Sequence, residues 1–393
     1  MKKRLLFHTI KKYINHKNAL VITGMRQVGK TTIMKQLFEE VNSPKLWFDF
    51  DNPLDMLLFE DIDYNNIYYK LEKNAKSTNK RLYIFIDEIQ NLPEITKIIK
   101  YHIDHYNVKY IVTESSNYYL KNLFPESLSG RKFLFVLHPL SFQEYLFFND
   151  KIAEPETKNS FDEIIEKQNR IDFEKRNSAY DNYIEFGGFP EVVVTNDEET
   201  KKKILKNIFA SFFEKDLKIL SDIKDIRELR DLILLLVPRT GNILDVSKLS
   251  SELGINRVKL YSYLEFLQGV FFLHLIPKFS KSIDRSVAGG KKVYFADTGI
   301  LNIIGKVNDG QLFENAIANQ LWSFGSLSFY NQRNTSEIDF IVDNELALEV
   351  KLNATKQDLK KTEYLSRKIG INKSYLISKK YSELKSVIFP SFL

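Results

Sequence analysis

Gly24-Met25-Arg26-Gln27-Val28-Gly29-Lys30-Thr31 follows the apolar run Ala19-Leu20-Val21-Ile22-Thr23 and opens a segment, Lys30 to Glu40, with helical periodicity. A Gly-x-x-x-x-Gly-Lys-Thr segment between a strand and a helix is a phosphate loop. Its glycines let the backbone curl so that N–H groups point at phosphate oxygens, and the helix N-terminus adds partial positive charge. Gly24 through Thr31, with Thr32 beyond, are therefore the expected nucleotide-binding residues. Lys30 is placed to reach the β- and γ-phosphates, and the Thr31 hydroxyl to ligate Mg²⁺.

Outward from the loop, Leu82-Tyr83-Ile84-Phe85-Ile86-Asp87-Glu88 is an apolar strand ending in two acids. Asp87 is expected to hold the Mg²⁺ shell, and Glu88 to polarise the attacking water as general base. Lys45 to Phe50, Arg81 to Ile86, Lys109 to Thr113 and Phe133 to Leu137 read as further strands, with a helix near Glu94 to His105. Short apolar strands separated by helices predict a parallel sheet covered on both faces. Together the two motifs resemble the AAA+ branch of phosphate-loop ATPases, in which the catalytic Glu sits beside the Mg²⁺ aspartate. The strand after them ends at Thr113-Glu114-Ser115-Ser116, which reads either as a γ-phosphate sensor or as a plain helix N-cap. Gly130-Arg131 precedes the last strand, and Arg131 is either a finger acting on a neighbouring subunit's site or an ordinary surface arginine.

The chain has 393 residues, room for two to four domains, with a hydrophobic share of 44%. With no cysteine, disulfide frameworks and thiolate metal sites are excluded. The start, Met1 to Phe7, reads as a basic helix because His8, Lys11 and Lys12 interrupt any signal-like apolar core. Leu232 to Val237, the longest aliphatic run, is too short to cross a bilayer. A cytoplasmic protein without a membrane partner is expected. The net charge of +6 is concentrated: residues 224–292 hold 12 Lys or Arg against 7 Asp or Glu.

That basic segment reads as a winged helix-turn-helix. Asp245 to Gly254 forms a short helix, Arg257 to Gly269 a second, and Val270 to Ile276 pairs with Lys291 to Phe295 as a wing. Arg257, Lys259, Tyr261 and Ser262 are then offered to DNA, with Lys278, Lys281 and Arg285 reaching phosphates. The same shape also serves protein–protein and lid contacts. Further on, Asp339 lies in the strand-like Glu337 to Val342, and Glu349 and Lys351 share one face of the next strand, Leu346 to Val350. Glu314 sits on an amphipathic helix, Leu312 to Leu321. This set resembles the PD-(D/E)xK nuclease core, which implies Mg²⁺ on Glu314, Asp339 and Glu349 and a catalytic Lys351. Such folds also bind without cleaving.

The whole chain is similar to prokaryotic AAA-family ATPases that end in an uncharacterised nuclease-like domain. The likeness rests on the phosphate loop, Ile86-Asp87-Glu88-Ile89-Gln90, Ser127-Leu128-Ser129-Gly130-Arg131 and Pro139 to Tyr145. Gly187-Gly188-Phe189-Pro190-Glu191, Lys292 to Gly299 and Glu349-Val350-Lys351 complete it. The chain departs from the family pattern at Glu114, where Gly usually follows the Thr. The expected fold class is α/β. A P-loop NTPase with an AAA+/RecA-like parallel sheet occupies residues 1–150, a solvated helical connector 151–223, the winged helix 224–292, and a restriction-endonuclease-like domain 293–393. The expected activity is Mg²⁺-ATP hydrolysis coupled to nucleic acid, DNA ahead of RNA, with or without cleavage. A nucleotide-gated switch without nuclease activity is the alternative, and a homo-oligomer would give Arg131 its partner site.

Overall fold

Five short runs rich in Val, Ile and Phe form one all-parallel sheet: β1 (Ala19–Thr23), β2 (Lys45–Asp49), β3 (Leu82–Asp87), β4 (Val108–Glu114) and β5 (Lys132–Val136). Their spatial order is β2-β3-β4-β1-β5. Every residue of β1, β3 and β4 is buried, as a parallel sheet packed on both faces requires. Helices Tyr64–Asn74 and Ile95–His105 supply Ile67, Leu71, Ile98 and Ile99 to a core with Val21, Ile84, Ile86 and Val112. Because β4 lies between β1 and β3, the phosphate loop and the acidic pair stand two strands apart on the same carboxyl edge. Open α/β sheets bind their ligands at that edge.

The computed structural model describes residues 2–76, 80–115, 128, 130–155, 160–216, 226–280, 289–332 and 336–393. The chain divides into two compact units, Met1–His138 with Gly269–Phe271, and Pro139–Gln268 with Phe272–Leu393.

In the second unit, helices Ile226–Leu236, Val246–Leu253 and Arg257–Gly269 precede an antiparallel pair, β6 (Leu273–Pro277) and β7 (Lys291–Phe295). Gly254, at φ 66°, stops the second helix. A five-stranded sheet follows: β8 (Leu327–Gln332), β9 (Ser336–Val342), β10 (Leu346–Lys351), β11 (Lys373–Ser378) and β12 (Val387–Ile388). β8, β9 and β10 are antiparallel neighbours, while β10, β11 and β12 are parallel. Asp343 and Asn344 join β9 to β10 with the positive φ values, 49° and 62°, that a tight hairpin turn needs. Helix Asp309–Leu321 packs Phe313, Ile317 and Leu321 with Phe340 and Leu348. Helix Lys356–Ile369 packs Leu365 and Ile369 with Ile341 and Ala347. Strand alternation thus gives each sheet face its own helix.

The structure corrects the expected solvated connector. Within residues 151–223, helix Arg170–Phe186 buries Phe173, Ala179, Tyr180, Tyr183 and Ile184, and Tyr180 and Tyr183 pack with Phe313 and Phe340 in one core. Its charged residues occupy the outer face. The expected boundary between 292 and 293 also falls inside β7. Helix Glu198–Ser211 continues as one wider turn, Phe212–Asp216.

Candidate functional site

The loop after β1 turns through three unusual backbone conformations. Gly24 has φ 146°, Gln27 φ 63° and Gly29 φ 98°. A Cβ on Gly24 would lie 2.1 Å from the Leu137 carbonyl oxygen, so only glycine fits there. Helix Lys30–Glu40 begins directly after Gly29, with Lys30, Thr31 and Thr32 in its first turn. Its first-turn N–H groups and dipole face the loop, a local anion site. The buried Lys30 ammonium donates to the carbonyls of Gly24 at 2.9 Å and Met25 at 3.0 Å. Arg4, from the N-terminal segment, braces the loop from behind by donating to Val28 O at 3.1 Å and His138 O at 3.0 Å.

The acidic pair is clasped by the end of β4. Thr113 Oγ1 donates to Asp87 Oδ1 and accepts from the Glu88 N–H at 3.1 Å. Ser115 Oγ lies 3.0 and 2.8 Å from the two Glu88 carboxylate oxygens, and Gln90 donates to Oε2. Glu88 sits at φ 54°, ψ 53°, a left-handed conformation costly for a residue with a Cβ. The strained backbone turns its carboxylate into the cluster. Burial pushes Asp87 above the usual aspartate range, against hydrogen bonds from Thr113 and Thr31. Burial also acts to raise Glu88, but the charges of Lys30 and Arg26 and the Gln90 and Ser115 bonds outweigh it, so Glu88 lies below the usual range. An ionised base is therefore held beside Lys30 at neutral pH. The Thr31 hydroxyl and Asp87 carboxylate, already hydrogen-bonded to each other, are hard oxygen donors of the kind Mg²⁺ takes. Thr113 and Ser115 thus act as clasps on the acids; Ser116 lies outside the described residues.

Arg131 stands at the opposite edge of the sheet. Its carbonyl accepts from Ala19 N at the start of β1, and its guanidinium pairs with Asp104 at 2.7 Å. This placement puts it away from its own chain's phosphate loop. Ser127 and Ser129 are outside the described residues.

In the second unit, Glu314 and Asp339 gather around a residue that sequence reasoning passed over as a site member, Lys292 on β7, and Glu349 and Lys351 neighbour Asp339. Its ammonium, 2% exposed, lies 2.6 Å from Glu337, 3.2 Å from Glu314 and 3.5 Å from Asp339. Tyr294, two residues along the same strand face, donates to Glu314 Oε1 at 2.6 Å. Asp339 Oδ2 accepts from Val350 N at 2.9 Å, and Lys351 pairs with Glu349 Oε1 at 2.7 Å. Burial, then the neighbouring Asp339 charge, pushes Glu314 up to about 7 and Glu349 up to about 8. Burial acts to lower Lys292, but the carboxylates around it win and raise it. Among the described residues no three His, Asp or Glu side chains form a metal-ligand group. The donors expected to take Mg²⁺ are bonded to lysines, and as they stand they do not fit a divalent ion. Alternation within Lys292-Val293-Tyr294 is the one sequence signal that places Lys292 and Tyr294 together.

On helix Arg257–Gly269, Arg257, Tyr261 and Ser262 are exposed, as expected. Lys259, with its side chain 39% exposed, pairs with Glu228 on the neighbouring helix and lies over the Tyr263 ring. Lys281 and Arg285 are outside the described residues. The motif glycines Gly187 and Gly188 prove structural. Buried Asp297 accepts from Gly188 N at 2.7 Å and caps the next helix through Ile300 N at 3.1 Å.

With this geometry in hand, comparison with known proteins is direct. Residues 16–146 match the family model described as an AAA domain. Over that stretch the chain is similar to AAA domains. Two families described only as domains of unknown function match residues 177–311 and 309–389. The chain is 27% identical over 340 residues to an uncharacterized protein of Methanocaldococcus jannaschii, covering 83% of this chain and 72% of the relative. It is also 27% identical over 335 residues to one of Haemophilus influenzae, covering 82% and 78%. In fold it is similar to a Walker-type ATPase of Pyrococcus abyssi, with a TM-score of 0.50 and 13% identity, over 76% of this chain and 94% of that one. The P-loop NTPase fold of the AAA domain agrees with the β2-β3-β4-β1-β5 sheet. Among the described residues no helix is long and apolar enough to cross a membrane.

Proposed function

We propose that the AAA domain binds and hydrolyses ATP with Mg²⁺, and that this cycle serves a nucleic-acid-facing second unit. The observation carrying the first half is the Glu88 clasp: a strained, partly buried glutamate kept ionised beside Lys30 and oriented by Ser115 and Gln90. Gly24 to Thr32 would cradle the phosphates, with the Lys30 ammonium leaving its loop carbonyls for the β- and γ-oxygens. Thr31 and Asp87 would hold Mg²⁺, which when bound offsets phosphate charge. Glu88 would take the proton from the attacking water, and Thr113 fixes both acids in register. ATP turnover tests this. Lys30→Ala should lose binding and turnover together, while Glu88→Gln should keep ATP binding and lose turnover. Wild-type-like turnover in either variant sinks the assignment.

Support for the second half is the basic three-helix segment with its antiparallel β6–β7 pair, the element order of a winged helix-turn-helix. The exposed Arg257, Tyr261 and Ser262 are its candidate DNA contacts. Arg257→Ala should reduce the salt dependence of DNA binding by about one unit of slope, whereas Lys259→Ala, whose charge is already paired with Glu228, should change it less. No DNA affinity even at low salt would favour the alternative, a nucleotide-gated switch acting on protein. The β8–β11 sheet with helices Asp309–Leu321 and Lys356–Ile369 follows the order of a restriction-endonuclease-like core. The lysine pairing of its acids favours a core that does not cleave.

A further inference from the structure

We propose that Lys292 is the resident cation of the second unit's acidic centre: its ammonium takes the place that a divalent metal would need between Glu314 and Asp339. The argument is one of donors and acceptors. An ammonium has three N–H donors and no acceptor. Lys292 meets three carboxylates, carried by helix Asp309–Leu321 (Glu314) and by β9 (Glu337 and Asp339), at 3.2, 2.6 and 3.5 Å. That is a full set. The side chain is 3% exposed, so this is not a surface lysine drifting onto nearby acids. Its stem is fixed by β7, which pairs along its whole length with β6.

The acceptors are equally committed. Glu314 Oε1 takes Tyr294 OH as well as Lys292. Asp339 Oδ1 faces Lys292, and Oδ2 takes the Val350 N–H. Gly241 lies so close to the Glu314 carboxylate that a Cβ there would stand 3.3 Å from it, which leaves Glu314 little room to swing away. A divalent ion between Glu314 and Asp339 would sit against the Lys292 ammonium, and the like charges would repel. One atom argues the other way: Glu349 Oε2 is buried with no hydrogen-bond partner, a place where a cation on Asp339 and Glu349 alone would be welcome. The test therefore includes that site.

The consequence is a specific chemical character. The centre is an acidic cluster, partly neutralised by Lys292, that holds β7, β9 and helix Asp309–Leu321 together, and removing the lysine should create a metal site. This inference concerns the second unit alone, and ATP turnover neither supports nor harms it.

The experiment is Mn²⁺ titration of the full chain without nucleotide, read by electron paramagnetic resonance, alongside thermal unfolding with and without Mn²⁺. Wild type and Asp339→Asn should bind Mn²⁺ alike, and neither should gain midpoint temperature through this centre. Lys292→Met should gain one Mn²⁺ at least tenfold tighter than any wild-type site and be stabilised by it. Lys292→Met/Asp339→Asn should lose that gain. Wild type binding one Mn²⁺ that Asp339→Asn or Glu349→Gln removes would overturn the proposal. So would a folded Lys292→Met that gains no site. If Lys292→Met does not fold, wild type against Asp339→Asn and Glu349→Gln still decides.

Discussion

Ser115→Ala isolates the contribution of the clasp on Glu88, the proposed general base. The hydroxyl lies 3.0 and 2.8 Å from the two oxygens of Glu88, and hydrogen bonds to a charged partner contribute about 1.5–3 kcal/mol. If all of that orients the base for proton transfer, kcat falls between roughly tenfold and 150-fold, at 1.36 kcal/mol per factor of ten. The lower end is expected, because Gln90 still holds Oε2 and the left-handed backbone at Glu88 still aims the side chain. ATP affinity should change by less than about threefold, since Ser115 meets the base and the phosphates meet the loop. The pH profile should move too: without Ser115 one of the bonds holding Glu88 below the usual glutamate range is gone, so the acidic limb of kcat shifts upward. Steady-state turnover from pH 4 to 8 with a fluorescent-nucleotide binding curve separates these quantities. Turnover within twofold of wild type, or equal losses in kcat and affinity, would refute the clasp.

Two further outcomes follow from the same geometry. Arg4→Ala removes charge-assisted bonds to Val28 O and His138 O; it should cost about 2 kcal/mol in urea unfolding and weaken nucleotide binding, and unchanged affinity would show that the loop stands without its brace. Asp297 is pushed up to about 6 by burial, against the bonds from Gly188, Ile300 and Gly299. A raised carboxylate pKa means the folded state holds the extra proton, so its contribution is fully present below about pH 4 and is lost as pH rises through about 6, about 3 kcal/mol in all. The stability difference between wild type and Asp297→Asn should therefore shrink from pH 4 to pH 7, and a flat difference would contradict it.

The AAA domain was legible because its signals are local. A phosphate loop is defined by spacing along a few residues, and fully buried strands write themselves as apolar runs such as Leu20 to Ile22 and Ile84 to Ile86. The roles of Thr113 and Ser115 were not legible, because they depend on β4 lying directly beside β3, and strand order is not written in any one segment. Lys259 reads as a free charge on its own helix, and its pairing with Glu228 depends on a helix some 30 residues earlier. The aromatic residues at 173, 180 and 183 were masked by the charge around them, and their burial depends on a sheet more than 150 residues later. Lys292 is the largest omission. Its partners at 314, 337 and 339 come from other elements, and the acids alone spelled a metal site.

Two of the buried lysines, Lys30 and Lys292, show how differently the units would treat a phosphate. Lys30 donates to main-chain carbonyls without net charge, at a helix N-terminus, so an arriving triphosphate finds an ammonium it can draw out of neutral bonds. Lys292 faces Glu314, Glu337 and Asp339, with Glu349 and Lys351 alongside: four acids to two lysines. A phosphodiester brought there would be repelled and would have to displace carboxylates from Lys292 to be held. A nucleic acid on this unit must therefore be met outside the acidic centre. Arg257 and Tyr261 are one exposed surface suited to it, and the shallow face with Lys360, Tyr364, Arg367 and Lys368 is another. Both offer cations with an aromatic ring between or beside them, the pairing that holds a sugar–phosphate chain without reading sequence. On the proposed function, the first unit would break the phosphate bond, and the second would hold a polyanion outside its acidic centre, because Lys292 is already committed to carboxylates.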